Sequence, residues 1–133
     1  MIENTDGDWI QTYTGRIFYP FDPKPEDIDI EDIAHALSFT CRFGGHSKQY
    51  YSVAQHCVHV SMHSSKEHAL WGLLHDADET YLTDVPKPIK PGLVGFKAIQ
   101  ESILKAVAER FDLCWPMPAE VKAVDCLPRP VEL

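Results

Sequence analysis

Two adjacent side chains able to hold a cation, His75 and Asp76, close the apolar run Ala69-Leu70-Trp71-Gly72-Leu73-Leu74 and are followed by Ala77-Asp78-Glu79. A helix serving only a core would carry more Leu or Val there. Another histidine, His56, stands upstream in a second amphipathic run, and Asp125 lies downstream in a third. Imidazole and carboxylate delivered from separate helices can hold a divalent cation while leaving positions open to water and substrate. Each residue has an ordinary reading as well. His56 alone is more often a hydrogen-bonded core histidine, and His75-Asp76 alone reads equally as a pair capping a helix. The set in order, rather than any member, points to metal chemistry.

The elements that must position these residues follow from periodicity. Trp9–Tyr13 and Arg16–Tyr19 alternate about Thr14-Gly15, which predicts a small hairpin. From Asp29 to Phe39, Ile30, Ile33, Ala34 and Leu37 recur at helical spacing. The run Cys41-Arg42-Phe43-Gly44-Gly45-His46 breaks that helix, and its two glycines permit a loop close to a ligand. Ser52-Val53-Ala54-Gln55 fits a capping box. Val53, His56, Val60 and His63 then share one helical course, which places His56 on the buried face. A third helix is expected from about Lys66 to Glu79, with Leu70, Leu73, Leu74 and Ala77 inward. The prolines of Thr83–Gly92 exclude helix. A fourth helix spans roughly Gly95–Phe111, with Phe96, Ile99, Ile103 and Val107 on one stripe. A short last helix, after Pro116-Met117-Pro118, runs through Asp125, and Pro128 and Pro130 follow it. The expectation is a mainly α protein, a helical bundle with a short N-terminal β-hairpin, in one domain over 1–133.

Composition narrows the function classes. The 133 residues carry a formal net charge of -8, with 44% hydrophobic and 24% charged residues. That acidity argues against a general nucleic-acid binder, which needs a basic face. It leaves room for a small anionic substrate served by local cations such as Arg42, Lys87, Lys90 and Lys122. No apolar run is long enough to span a bilayer, and the first residues lack a signal-peptide pattern. Cys41, Cys57, Cys114 and Cys126 form no CxxC pair, so free thiols in a reducing cytoplasm are expected.

The order His56, His75-Asp76, Asp125 resembles the HD-domain phosphohydrolase superfamily. The likeness extends to Arg42-Phe43, Ser52–His56, His75–Glu79, Thr83–Lys90 and Val121–Asp125. These motifs, covering about residues 9 to 125, are similar to the small 5'-deoxynucleotidase branch and to phage relatives that remove triphosphate from deoxynucleotides. The resemblance implies an HD-domain helical bundle that binds one divalent metal ion (Mn, Co, Zn, Ni, Fe or Mg) through His56, His75, Asp76 and Asp125. It implies proton handling by Glu79 and Asp84, and phosphate neutralisation by Arg42, Lys90 and Lys122. Phe43 would stack on the base or pack on the sugar. His46 is left between a phosphate contact and a loop hydrogen bond.

The reaction implied is hydrolysis of a (deoxy)nucleotide at the α-phosphorus by a metal-activated water, with phosphate or triphosphate as the product. No histidine follows His75, which favours a mononuclear site over the two-metal type. His59 and His63 are expected on a solvated or partner-facing surface, and Trp71 and Trp115 in packing or subunit contacts. Relatives prolong the helix bearing the last aspartate. Here the prolines after Asp125 leave that ligand with the least local support, and apolar surface is expected to be covered in a homo-oligomer, a dimer or larger. The competing readings are a catalytically silent HD module that binds nucleotide or a partner, and a (p)ppGpp hydrolase, whose larger relatives carry motifs absent from this chain.

Overall fold

In the computed structural model, residues 7–127 are described. The sequence reading of Pro128 and Pro130 lies outside those residues. The chain opens with the hairpin β1 (Ile10–Gln11) and β2 (Ile17–Phe18), antiparallel with Ile10 opposite Phe18. Six α-helical segments follow among the described residues: α1 (Ile30–Phe39), α2 (Val53–His63), α3 (Ala69–Leu74), α4 (Glu79–Leu82), α5 (Phe96–Arg110) and α6 (Ala119–Asp125). The expected class, mainly helical with a short N-terminal hairpin, is the one observed.

Local chemistry explains the boundaries. Asp29 caps α1 by accepting the Glu31 N–H at 2.8 Å. Ser52 and Gln55 form the anticipated capping box at α2, each side chain accepting from the other's backbone N–H. The buried Asp32 ties the hairpin to α1, accepting the backbone N–H of Thr14 at 2.8 Å and its hydroxyl at 3.0 Å. Phe18 lies fully buried beneath the hairpin and stacks on Tyr81 of α4 with ring centroids 3.7 Å apart.

Two apolar clusters hold the helices. The larger joins Phe18, Ile33, Leu37, Val53, Leu74, Tyr81, Ile103 and Val107. The smaller joins Val60 and Trp71 to Ala108 of α5 and to Val121 and Val124 of α6. Trp71 also donates its indole N–H to the Cys114 carbonyl at 2.7 Å, so it packs as anticipated, while Trp115 is partly exposed beside it. All four cysteines are unpaired. No helix among the described residues is long and apolar enough to cross a membrane.

Several helix faces differ from the sequence reading. Leu70 and Leu73 are exposed, whereas Trp71 and Leu74 are buried. Both pairs fit a helical stripe, and the indole hydrogen bond to the α5–α6 connection decides between them. Ile30 and Ala34 face outward while Ile33 and Leu37 point in, because Asp32 turns α1 toward the hairpin. His63 is exposed at the end of α2, as expected of a solvated surface, its ring near the His59 carbonyl at 2.8 Å, so the buried course that includes His56 ends at Val60. The third helix does not run unbroken to Glu79. α3 ends at Leu74, and α4 starts at Glu79 after a tightened turn.

Candidate metal centre

That tightened turn builds the centre of the site. Across residues 74–81 the N–H groups of Ala77, Glu79, Thr80 and Tyr81 bond to carbonyls three residues back, at 2.9–3.1 Å. This 3₁₀-type winding keeps His75 and Asp76 together under the end of α3 while starting α4 at Glu79. The His75 Nδ1–H donates to the Gly72 carbonyl at 2.7 Å. That bond keeps Nδ1 as the donor and leaves Nε2 as the ring nitrogen facing the neighbouring ligands.

Candidate ligand atoms are brought together from three separate segments: His56, His75 and Asp125 are mutually close, and Asp76 approaches the two histidines. His75 Nε2 lies 3.3 Å from His56 Nε2, 3.2 Å from Asp76 Oδ2 and 3.3 Å from Asp125 Oδ1. His56 Nε2 lies 3.7 Å from Asp76 Oδ2 and 2.6 Å from Asp125 Oδ1. Donors held about 2.0–2.2 Å from a tetrahedral ion sit about 3.3–3.6 Å from one another; the three separations from His75 lie at or beside that range, while His56 and Asp125 are drawn closer by a direct hydrogen bond. The residues present therefore fit a divalent ion. His56 and His75 are buried, while Asp76 and Asp125 face the opening above them.

The opening is a cavity of about 740 Å³. Asp76, Asp125, Glu79 and Asp84 meet there with Arg42, Phe43, His46, Lys87 and Lys90. Its first lip is the loop after α1. The Arg42 N–H donates to the Tyr51 carbonyl at 2.8 Å, closing the loop, and Phe43, Gly44 and Gly45 follow with φ of 58°, 60° and 83°. Left-handed backbone costs a non-glycine residue roughly 1–2 kcal/mol, so Phe43 is held against its preference, and the Arg42 guanidinium sits 4.9 Å over its ring. The opposite lip is the proline-rich segment after α4, entered through Thr83, whose φ is 64°.

The electrostatics separate the carboxylates into two kinds. Burial would raise Asp125, but hydrogen bonds from His56 and His75 outweigh it and hold the group well below its ordinary range. Asp76 is likewise lowered, the pull of His75 overcoming its burial. His75 loses by burial yet gains more from Asp76 and Asp125, and is held well above its usual value. Glu79 goes the other way. Burial, then the charges of Asp76, Asp84 and Asp78, push its carboxyl up to about 11, and its Oε1 is buried with no hydrogen-bond partner among the described residues. Asp84 is raised by burial, with Arg42 opposing.

Of the residues singled out in the sequence, all but one are placed at the ligand cluster or around its cavity. The exception is Lys122, which is exposed on α6 and is absent from the cavity lining. A spacing of i, i+3 puts it near the Asp125 face, but Asp125 turns inward at the helix end while Lys122 stays in solvent. The sequence reading passed over Asp78. This side chain is buried, accepts the Gln100 amide N–H at 3.1 Å and is pushed by burial and the Asp76 charge up to about 7. Its position three residues after His75 was the available signal. Cys57 was also missed as a neighbour. Its buried thiol lies close to His75 and Asp76.

Gly72 lets the two histidine-bearing helices meet. A Cβ at this position would come within 3.0 Å of both Ser61 Cα and Ser64 Oγ. Gly72→Ala should therefore push α3 from α2, costing about 1–3 kcal/mol and weakening cation binding. Urea unfolding of the metal-free protein, with chelator competition on the folded form, measures both effects.

Fold and site together define a mainly helical protein with a histidine–aspartate constellation suited to a cation. No family model matches the chain. It is 40% identical over 119 residues to the uncharacterized protein YfdR of Escherichia coli K12, a match covering 90% of this chain and 67% of YfdR. It is 36% identical over 124 residues to an uncharacterized protein of Rhodobacter capsulatus, covering 86% of this chain and 63% of that one. The chain belongs to the family of YfdR, and it spans about two thirds of the length of these relatives.

Proposed function

We propose that the protein is a metal-dependent nucleotide phosphohydrolase of the HD type, acting on the 5'-phosphate end of deoxynucleotides. The observation that carries this reading is the meeting of His56 Nε2, His75 Nε2, Asp76 Oδ2 and Asp125 Oδ1 below a cavity rimmed by Arg42, Lys87 and Lys90. A divalent cation held by those four residues would supply Lewis acidity, polarising water and offsetting charge on phosphoryl oxygens.

The chain's own groups account for the remaining needs of phosphoester hydrolysis. Arg42, Lys87 and Lys90, all lining the cavity, neutralise and orient the non-bridging oxygens. Phe43, strained into the mouth of the cavity, offers a ring face to the base or sugar. Glu79 holds a proton on a buried carboxyl facing the cavity. With a cation held beside it, Glu79 would release its proton more readily and so could both give and take protons near neutral pH. Asp84, beside Arg42, stands across the mouth as a second proton acceptor.

Turnover tests this directly. Protein loaded separately with Mn, Co and Zn should hydrolyse deoxynucleoside mono- or triphosphates. The phosphorus product, identified by ³¹P NMR, separates the two chemistries: orthophosphate marks a 5'-deoxynucleotidase and tripolyphosphate a triphosphohydrolase. Cation binding at the cluster without turnover of any nucleotide would instead favour a silent binding module.

A further inference from the structure

The seven-residue helix that carries Asp125 is pegged at its opposite end by a cluster outside the cavity. Glu120, in the first turn of α6, accepts three hydrogen bonds on one oxygen. The donors are the Ser65 backbone N–H at 3.0 Å, the Ser65 hydroxyl at 2.7 Å and the His68 Nδ1–H at 3.0 Å. Ser65 and His68 flank the turn that leads from α2 into α3. The clamp therefore joins α6 to the connection between the two histidine-bearing helices.

A helix this short does not set its own position. Isolated helices of fewer than about 12–15 residues are marginal in water, and Pro118, preceding α6, supplies no side-chain cap. What docks α6 is the insertion of Val121 and Val124 among Val60, Trp71 and Ala108, together with the Glu120 clamp. Two valines one turn apart seat a helix but leave it free to rock about their axis. Glu120 removes that freedom. Five residues of helical rise, about 7.5 Å, separate it from Asp125, so rocking at the first turn is carried to the ligand carboxylate.

We propose that Glu120 is a positioning residue for the centre, acting through α6 to hold Asp125 Oδ1 against His56 and His75. The inference rests on the reading of Asp125 as a cation ligand. Glu120 itself touches neither cation nor substrate.

Cobalt(II) binding to the full chain is the test, with affinity measured by chelator competition and ligand geometry by the visible absorption bands. Glu120→Ala is expected to lower cobalt affinity by up to about tenfold, the loss of one exposed clamp, and to alter the bands. Glu120→Gln, which keeps an acceptor oxygen for Ser65 and His68, should restore most of both. Glu120→Ala with wild-type affinity and spectrum overturns the proposal even where its thermal stability falls. Asp125→Ala separates the two levels. If it keeps wild-type affinity, the ligand assignment fails and the positioning role falls with it. If it loses affinity while Glu120→Ala does not, the positioning role alone fails. Should Glu120→Ala not fold, His68→Ala removes one donor from the exposed side of the clamp and serves the same comparison, with a smaller loss expected and an unchanged spectrum counting against the proposal.

Discussion

Asp76→Ala is expected to abolish turnover, by a factor on the order of 10³ or more, and to strip the protein of its cation under conditions where the wild type stays loaded. Asp76 Oδ2 faces both imidazoles, 3.2 Å from His75 Nε2 and 3.7 Å from His56 Nε2. Without it, the buried histidines keep only Asp125, whose carboxylate is the more exposed. Metal analysis after dialysis and a turnover assay in excess metal check the two parts, and full metal content with full turnover would remove the central assignment.

The same substitution has a signature without metal. His75 is held above its unfolded value, so its stabilising pairing is complete at pH below about 6.5 and is lost as pH rises through the folded value. Asp76 is lowered, so its contribution is present above its unfolded value and is lost as pH falls through the folded one. In the presence of chelator, the stability gap between wild type and Asp76→Ala should be widest between these limits. It should narrow at both acidic and alkaline pH when followed by urea unfolding.

Glu79→Gln should give a protein that is slower yet more stable. The substitution removes the proton carrier but keeps the shape, so kcat is expected to fall by roughly 10²–10⁴ with cation content unchanged and KM altered little. The stability change follows from the raised carboxyl. With a folded value of about 11 and an unfolded one near 4.3, the native state favours the protonated form. Its contribution is therefore full below the unfolded value and declines as pH rises toward the folded one. Glutamine stays neutral throughout. The metal-free variant should thus match the wild type near pH 4 and exceed it at pH 8, by about 1 kcal/mol or more, on the order of 5 °C or more in Tm. A variant no more stable at pH 8 than at pH 4, relative to wild type, would show that Glu79 is ionised and solvated.

The residues that gave the clearest sequence signals were those whose local chemistry is self-contained. Ser52 and Gln55 cap α2 by bonds internal to four residues, and Ile103 and Val107 share one face of a long helix, so both were legible. Choices made by tertiary contact were not. The stripe containing Leu70 and Leu73 and the one containing Trp71 and Leu74 have the same period, and distant contacts, the packing of Trp71 on α5 and α6 and its bond to the Cys114 carbonyl, separate them. The break after Leu74 escaped detection because a 3₁₀ turn uses the same residue types as the helix it interrupts. The ligand set was visible as an ordered series of residue types, whereas the buried state of Glu79 and Asp78, which depends on α5 and the loop after α4, was not. Lys122 shows the limit of spacing arguments at a helix end, where one turn faces both the site and the solvent.

The separation of the ligands along the chain bears on when the centre can exist at all. His56 and Asp125 touch across 69 residues of sequence, and bringing such distant segments together is entropically costly before the contacts between them form. A nascent chain exposes His56, His75 and Asp76 while α6 is still unsynthesised, so a full-strength site awaits α6. Under the proposed reading, cation loading follows the docking of α6. Chelation should run the sequence backwards, with α6 the first element to gain hydrogen exchange and the hairpin, pinned independently through Asp32, among the last.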